Sequence, residues 1–243
     1  MPPFESSDFE NPYVAPRTGS VDAHLAANAE FEAGELRPFR TIWTHPRLTV
    51  RRLVAHNPEL YVVPLVCLAG IGETLDRASM RNAGDKSPLE VILGIAVVLG
   101  PLFGLLSLWI MSHLIRITGN WIGGTAPREH IRTAIAWASV PAVVALPLWI
   151  PQLALFGSEM FTKETPRLDA EPMLYIPLLA IIIIEMILGI WGFVLLCNTV
   201  AEVQGYRSAC RGLGNLLLAG LLLVVPILVI AFVLVMLLSS GIR

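Results

Sequence analysis

The chain has 243 residues, of which 55% are hydrophobic and only 15% are charged, and its mean hydropathy is +0.67. Soluble domains carry about 25% charged residues, so this composition excludes an ordinary soluble domain. The net charge of -2 hides a segregation along the chain. Residues 1–36 hold seven acids and one base, Arg17, whereas residues 37–56 hold five arginines and no acid.

The polar N-terminal part divides into two segments. Residues 1–37 are rich in proline and acidic residues, which predicts a flexible acidic arm. In residues 38–58 apolar side chains such as Trp43 alternate with Arg47, Arg51 and Arg52, which predicts an amphipathic segment in the membrane interface. A soluble helix packed on the end of the membrane domain is the alternative, and the pattern is compatible with both at once.

Five apolar stretches follow, over residues 60–75, 89–117, 133–156, 173–200 and 216–238. A helix needs about 20 apolar residues to cross the hydrocarbon core of a bilayer. The first stretch is marginal because its apolar run ends before Glu73 and Asp76, so it either spans or is re-entrant. The prediction is an all-α fold, a polytopic membrane helix bundle of about five transmembrane helices over residues 59–243, preceded by the arm and the interfacial helix.

Loop charges predict the orientation. With five spans, the loops on the side of the N-terminus hold eleven basic residues and those on the other side hold six. A re-entrant first stretch changes the split to twelve against five. Because basic loops stay in the cytoplasm, both versions place the N-terminus there.

Glu185 is the most informative residue inside a predicted span, because it interrupts an otherwise apolar run. A buried acid costs about 2.5 to 3.5 kcal/mol to insert, so it faces the bundle or is protonated. It is either a proton- or ligand-coupling group or a neutral carboxyl that bonds a neighbouring helix. The third span holds Pro141, Pro147 and Pro151, which predict kinks that are either static or part of a moving gate.

Two connectors share a pattern of glycine followed by two arginines four residues apart. Arg128 and Arg132 follow the second span, and Arg207 and Arg211 follow the fourth. On a short helix, each pair would share one face. The pattern indicates either a parallel internal repeat or the ordinary enrichment of cytoplasmic loops in arginine. These four arginines, with Trp43, Arg47, Arg51 and Arg52, are the candidate contacts with a membrane surface or a partner.

The sequence contains no recognisable catalytic or metal-binding pattern. It has no HExxH, no GxSxG and no Walker-type glycine loop, and its five histidines and three cysteines are scattered. We therefore expect no enzyme activity, no cofactor, no metal and no nucleic-acid partner.

The order of small motifs resembles the Yip domain of bacterial Ypt/Rab-interacting-protein homologues. The motifs are FRTIWTHPRLTVRRLVAHNP over residues 39–58, Gly123-Gly124 after the second span, AIAWASVP over residues 134–141, and Gln204-Gly205-Tyr206-Arg207-Ser208-Ala209 after the fourth span. The resemblance covers residues 38–238 and implies five spans with a cytoplasmic N-terminus, in the bacterial inner membrane. The Asp-Leu-Tyr-Gly-Pro string of the GTPase-linked eukaryotic relatives is absent, which puts GTPase binding in doubt.

These observations lead to two functional expectations. The first is a non-enzymatic membrane scaffold that organises protein partners or lipids through its arm and loops, with homo-oligomerisation left open. The alternative is a small transporter or lipid-moving protein that uses Glu185 and the proline-kinked third span.

Overall fold

The structure is a computed structural model, and it describes residues 37–240. The predicted acidic arm, residues 1–37, lies outside the described residues except for its last one. Every regular element between residues 37 and 240 is a helix. The predicted all-α membrane helix bundle is therefore confirmed.

Ten α-helices follow one another along the described chain. They are α1 (Pro38–Thr41), α2 (Pro46–His56), α3 (Val62–Met80), α4 (Leu89–Trp121), α5 (Arg128–Ala138), α6 (Val140–Ala145), α7 (Trp149–Phe156), α8 (Pro166–Ala170), α9 (Tyr175–Val203) and α10 (Ala209–Ser240). Short 3₁₀ turns occur at Ala83–Asp85, Leu146–Leu148, Gly157–Phe161 and Pro172–Leu174.

Four helical stretches of the described chain are long and apolar enough to cross a membrane. They are Leu89–Trp121, Arg128–Phe161, Pro172–Val203 and Ala209–Val233. Of the most apolar part of the Arg128–Phe161 stretch, 44% is buried inside the protein, whereas the corresponding share is 11% in each of the last two stretches. The α5–α7 stretch therefore lies at the centre of the bundle, while α9 and α10 mostly face lipid.

Helix α3 corresponds to the marginal first stretch, and the four stretches above do not include it. It continues beyond the apolar run and carries Glu73, Asp76 and Arg77 within its 19 residues. Whether α3 crosses the bilayer as a fifth span stays a prediction. Its packing is nevertheless that of an integral part of the bundle, since five of its residues are buried.

Glycines hold α3 and α4 at close range. A Cβ atom on Gly70 would overlap the carbonyl oxygen of Gly100, and one on Gly104 would overlap that of Val66. Small residues let membrane helices approach in this way. The contacts run in opposite directions along the two helices, so α3 and α4 are antiparallel. Glu73 consequently lies level with about residue 97, roughly 12 Å along α4 from its start at Leu89.

Candidate functional site

Glu185 lies ten residues into α9 and has a partner on the broken central helix. Its Oε1 atom accepts a hydrogen bond from Gln152 Nε2 at 2.6 Å. Gln152 is only 2% exposed, so this bond satisfies a buried amide as well as the acid. A neutral and an ionised carboxyl can both accept such a bond. Glu185 as a proton- or ligand-coupling group and Glu185 as a neutral carboxyl that bonds a neighbouring helix are both compatible with this bond, so both stay predictions.

The breaks in the central stretch bring α7 to this position. The chain changes helix at Ser139 and again at the 3₁₀ turn Leu146–Leu148, so the predicted third span consists of three short helices. Pro141 lies in the first turn of α6, Pro147 lies in the 3₁₀ turn and Pro151 lies in the first turn of α7. In the first turn of a helix the backbone N–H groups have no partner within the helix, so proline, which lacks an N–H, costs no hydrogen bond there. The breaks therefore coincide with the positions of the prolines.

A cavity of about 130 Å³ lies between α3, the broken stretch α6–α7 and α9, and we call it the acid pocket. Its polar lining consists of Glu73 and Asp76 of α3 and Glu185 of α9, with Trp149 beside them. Carboxylates inside a membrane bundle are costly and mark ion, proton or ligand pathways. No group of His, Cys, Asp or Glu within residues 37–240 is arranged to hold a metal ion.

The opposite charge collects at one end of the bundle, which we call the basic end: residues 38–61, 113–133 and 198–211. This end carries nine arginines and three carboxylates. The segments that join the helices at the other end, residues 81–90 and 157–171, carry six carboxylates and four bases. The basic end therefore has the character expected of a cytoplasmic face.

Within the basic end, helix α2 packs against the rest of the bundle through both its apolar and its charged face. Val50 and Leu53 are at most 1% exposed. Arg47 donates to Asn198 Oδ1 at 3.3 Å and, at 3.4 Å each, to the carbonyl oxygens of Tyr206 and Arg207. The structure thus shows this segment as a helix packed on protein, and its location in the membrane interface stays a prediction. Its apolar face is covered by protein.

The remaining candidate contact residues differ in exposure. Arg51 pairs with Glu202 at 2.7 Å and Arg132 pairs with Glu59 at 3.1 Å. Arg207 and Arg211 are exposed, whereas Trp43, Arg52 and Arg128 are half-buried.

The second pair of arginines does not form the helix face expected from its spacing. Arg207 precedes α10, in a turn that Gly205 opens with a φ of +76°, and Arg211 lies in the first turn of the helix. Arg128 and Arg132 do share α5. The two connectors therefore differ in local structure.

Gln204 locks the two connectors together. It is 2% exposed, accepts a hydrogen bond from the Ala126 N–H at 3.1 Å, and donates to the carbonyl oxygen of Ile115 at 3.2 Å. A Cβ atom on Gly119 or Gly124 would overlap the Gln204 side chain. The glycines of the first connector thus make room for the glutamine of the second.

Further buried bonds extend this lock. Thr118 donates to Asn215 Oδ1 at 2.6 Å, and both side chains are fully buried. Tyr206 donates to the carbonyl oxygen of Gly119 at 3.3 Å. Burial raises the pKa of the Tyr206 phenol, and nearby Arg211 acts in the opposite direction. We call this set of Thr118, Gln204, Tyr206 and Asn215 the connector lock.

Sequence reasoning singled out Glu185 and the arginines but missed Gln152, Thr118 and Asn215. Gln152 is a polar residue within an apolar run, which is the signal that drew attention to Glu185, and Asn215 stands at the start of one, whereas Thr118 lies between Arg116 and Asn120. Such residues usually find a partner on another helix. Without the fold, nothing in the sequence pairs Gln152 with Glu185 or Thr118 with Asn215.

The family model of the Yip1 domain matches residues 40–238, which is most of the chain. The chain belongs to the Yip1 domain family. No curated protein and no solved structure matches the chain.

Membership of the Yip1 domain family and the apolar helices make this an integral membrane protein in contact with the lipid bilayer. The motifs quoted from the sequence lie in the structure at the packed helix α2, at α5 and at the connector lock. Gln204 and Gly124 thus belong both to the family resemblance and to the contact between the connectors.

Proposed function

We propose that this Yip1-domain protein is a non-enzymatic membrane scaffold that binds an acidic partner, a protein surface or anionic lipid, at its basic end. The observation that supports this most is the connector lock. It joins the connector that leads into α5, which carries Arg128 and Arg132, to the connector at Arg207 and Arg211 that leads into α10, and Arg47 fastens α2 to the same place. A surface that is already rigid loses little entropy on binding.

The charge of the basic end supports an acidic partner and a cytoplasmic orientation of this end. The membrane we propose is the bacterial inner membrane. Nine arginines against three carboxylates create a strongly positive potential. Arg47, Arg51 and Arg132 hold the basic end together through internal contacts. The exposed Arg207 and Arg211 are the residues best placed to meet a partner.

Co-purification in mild detergent tests this function. The full chain should retain a partner protein or anionic lipid that is lost on the double change Arg207→Ala and Arg211→Ala. A matched control at the other end of the bundle is Arg81→Ala with Lys86→Ala, which removes the same charge and should retain the partner. Equal loss in both variants, or in neither, would contradict a specific basic surface. Removal of residues 1–36 tests in the same assay whether the arm contributes.

The acid pocket favours a second function, the movement of ions, protons or lipids across the membrane. Three carboxylates line a cavity beside the broken central helix, where a change in the helix breaks would alter access. Flux through proteoliposomes that is abolished by Glu185→Gln would establish this function. Glutamine keeps the bond to Gln152 but cannot exchange a proton. An inactive wild-type protein in the same vesicles would argue against it.

A further inference from the structure

A second cavity opens on the outside of the bundle, between α4 and α10. It has a volume of about 290 Å³ and is lined by Phe103, Leu106, Ser107, Ile110 and Met111 of α4, Leu223 of α10 and Arg77 of α3. The α4 residues recur every three or four positions, so they lie on one face of the helix and form a strip about 12 Å long. We call this cavity the lateral groove.

The walls of the lateral groove suit a hydrocarbon chain. Phe103 and Leu106 are about half exposed, and Leu223 is 38% exposed. Beyond Leu221 the described side chains of α10 are almost all exposed, so little protein covers this part of the helix. Apolar walls alone do not select an occupant, since lipid tails are as apolar as leucine. Selectivity must come from a polar feature.

That polar feature is Arg77, which lines the groove, together with its ion-pair partner Glu73, which lies beside it and lines the acid pocket. Arg77 donates to Glu73 at 2.9 Å, and the two side chains are 61% and 55% exposed. By the antiparallel register, Glu73 lies level with about residue 97 and Arg77 with about residue 93, roughly 12 Å and 6 Å along α4 from its start at Leu89. Charges exposed at such depth are expensive unless they meet other charges or water. A guanidinium has five donors, more than one carboxylate uses.

We propose that the lateral groove binds a zwitterionic phospholipid, with its phosphate on Arg77, its ammonium group on Glu73 and one acyl chain along the apolar strip. A positive and a negative side chain next to each other match a headgroup that carries both charges. A purely anionic headgroup would gain Arg77 but meet the repulsion of Glu73. A soluble phosphate could not fill the apolar strip. This site is independent of the scaffold function at the basic end.

Lipid retention measured by native mass spectrometry tests the proposal. The full chain in detergent is equilibrated with an equimolar mixture of dioleoyl phosphatidylethanolamine, dioleoyl phosphatidylglycerol and dioleoylglycerol. We expect phosphatidylethanolamine to be retained in preference to the other two. Arg77→Leu should reduce its retention about fivefold, as expected for the loss of one charged contact. Arg81→Leu, an exposed arginine one turn further along the chain, is the control and should change nothing.

Two more variants separate the groove from general damage. Ser107→Phe fills the strip without changing a charge and should reduce retention to a similar degree. Glu73→Arg combined with Arg77→Glu restores the pair in reversed order and should regain the phosphatidylethanolamine that each single change loses. Melting temperatures in detergent identify any variant that has merely unfolded.

Three results would overturn the proposal. The first is equal retention of all three lipids by the wild-type protein. The second is unchanged retention of phosphatidylethanolamine in both Arg77→Leu and Ser107→Phe. The third is a change in oligomeric mass on Ser107→Phe, which would show that a second copy of the chain covers the groove.

Discussion

The basic end and the acid pocket treat buried polar groups in opposite ways. At the basic end, Gln204 makes two hydrogen bonds to backbone groups and Thr118 meets Asn215, so polar atoms connect neighbouring segments directly. In the acid pocket, three carboxylates surround an open cavity, and Glu185 is held by Gln152 from one side. Polar groups in direct contact rigidify a fold, whereas those around a cavity remain accessible to a ligand. We therefore call the basic end the frame, because its polar contacts hold the fold together, and the acid pocket the candidate site, because its polar groups can reach a ligand.

The largest effect on stability is expected where glycines let the backbones of α3 and α4 touch. Gly70→Leu would drive a side chain into the backbone of Gly100, so α3 and α4 would separate and most of the protein would fail to fold. Yield and melting temperature in detergent measure the loss. Gly94→Ala on α4 is the control, because a Cβ atom there meets nothing within 4 Å. Normal folding of Gly70→Leu would show that the close contact is unnecessary.

The connector lock should be the next most sensitive region. Gln204→Leu leaves the N–H of Ala126 and the carbonyl of Ile115 buried without their partner, at a cost of about 2 to 5 kcal/mol. Tyr206→Phe removes a single bond from the same network and should cost about 0.5 to 1.5 kcal/mol. Denaturant titration in detergent compares the two. Equal stability of both variants would mean that the lock does not hold the basic end together.

Two substitutions of Glu185 test whether the acid pocket is a site or part of the frame. Glu185→Leu should cost about 1 to 3 kcal/mol, because it leaves the Nε2 atom of Gln152 buried without its acceptor. Glu185→Gln keeps an acceptor of nearly the same shape and should leave stability almost unchanged. If glutamine is as destabilising as leucine in thermal unfolding, the negative charge itself is needed for folding. The acid pocket would then belong to the frame.

The smallest effect is expected at the exposed ion pair of α2. Arg51→Ala breaks the bond to Glu202, but the arginine side chain is 59% exposed, so solvent screens the interaction. The change should cost less than about 1 kcal/mol. A loss as large as that of Gln204→Leu would show that charge, rather than the connector lock, fastens the basic end.

The sequence predicted the helical membrane fold because apolar length is a local property. It also singled out Glu185, since a single acid in an apolar run is visible without a structure, and the functional role of this residue stays a prediction. The partner Gln152 could not be predicted, because the breaks near Ser139 and Leu146–Leu148 decide which residues face α9. The fit of Gln204 against Gly119 likewise depends on contacts between residues far apart in the chain. Pairing across helices is therefore what sequence reasoning lacked.

The most direct test of the account is which side of the membrane the basic end faces. Cys210 is an exposed native cysteine between Arg207 and Arg211, and Cys67 and Cys197 can be replaced by alanine. A membrane-impermeant maleimide should then label Cys210 in opened membranes but not from outside intact cells. Ser208→Cys in a chain without the native cysteines should behave in the same way. Labelling from outside at either position would contradict the account, because the arginines would then face away from the cytoplasm.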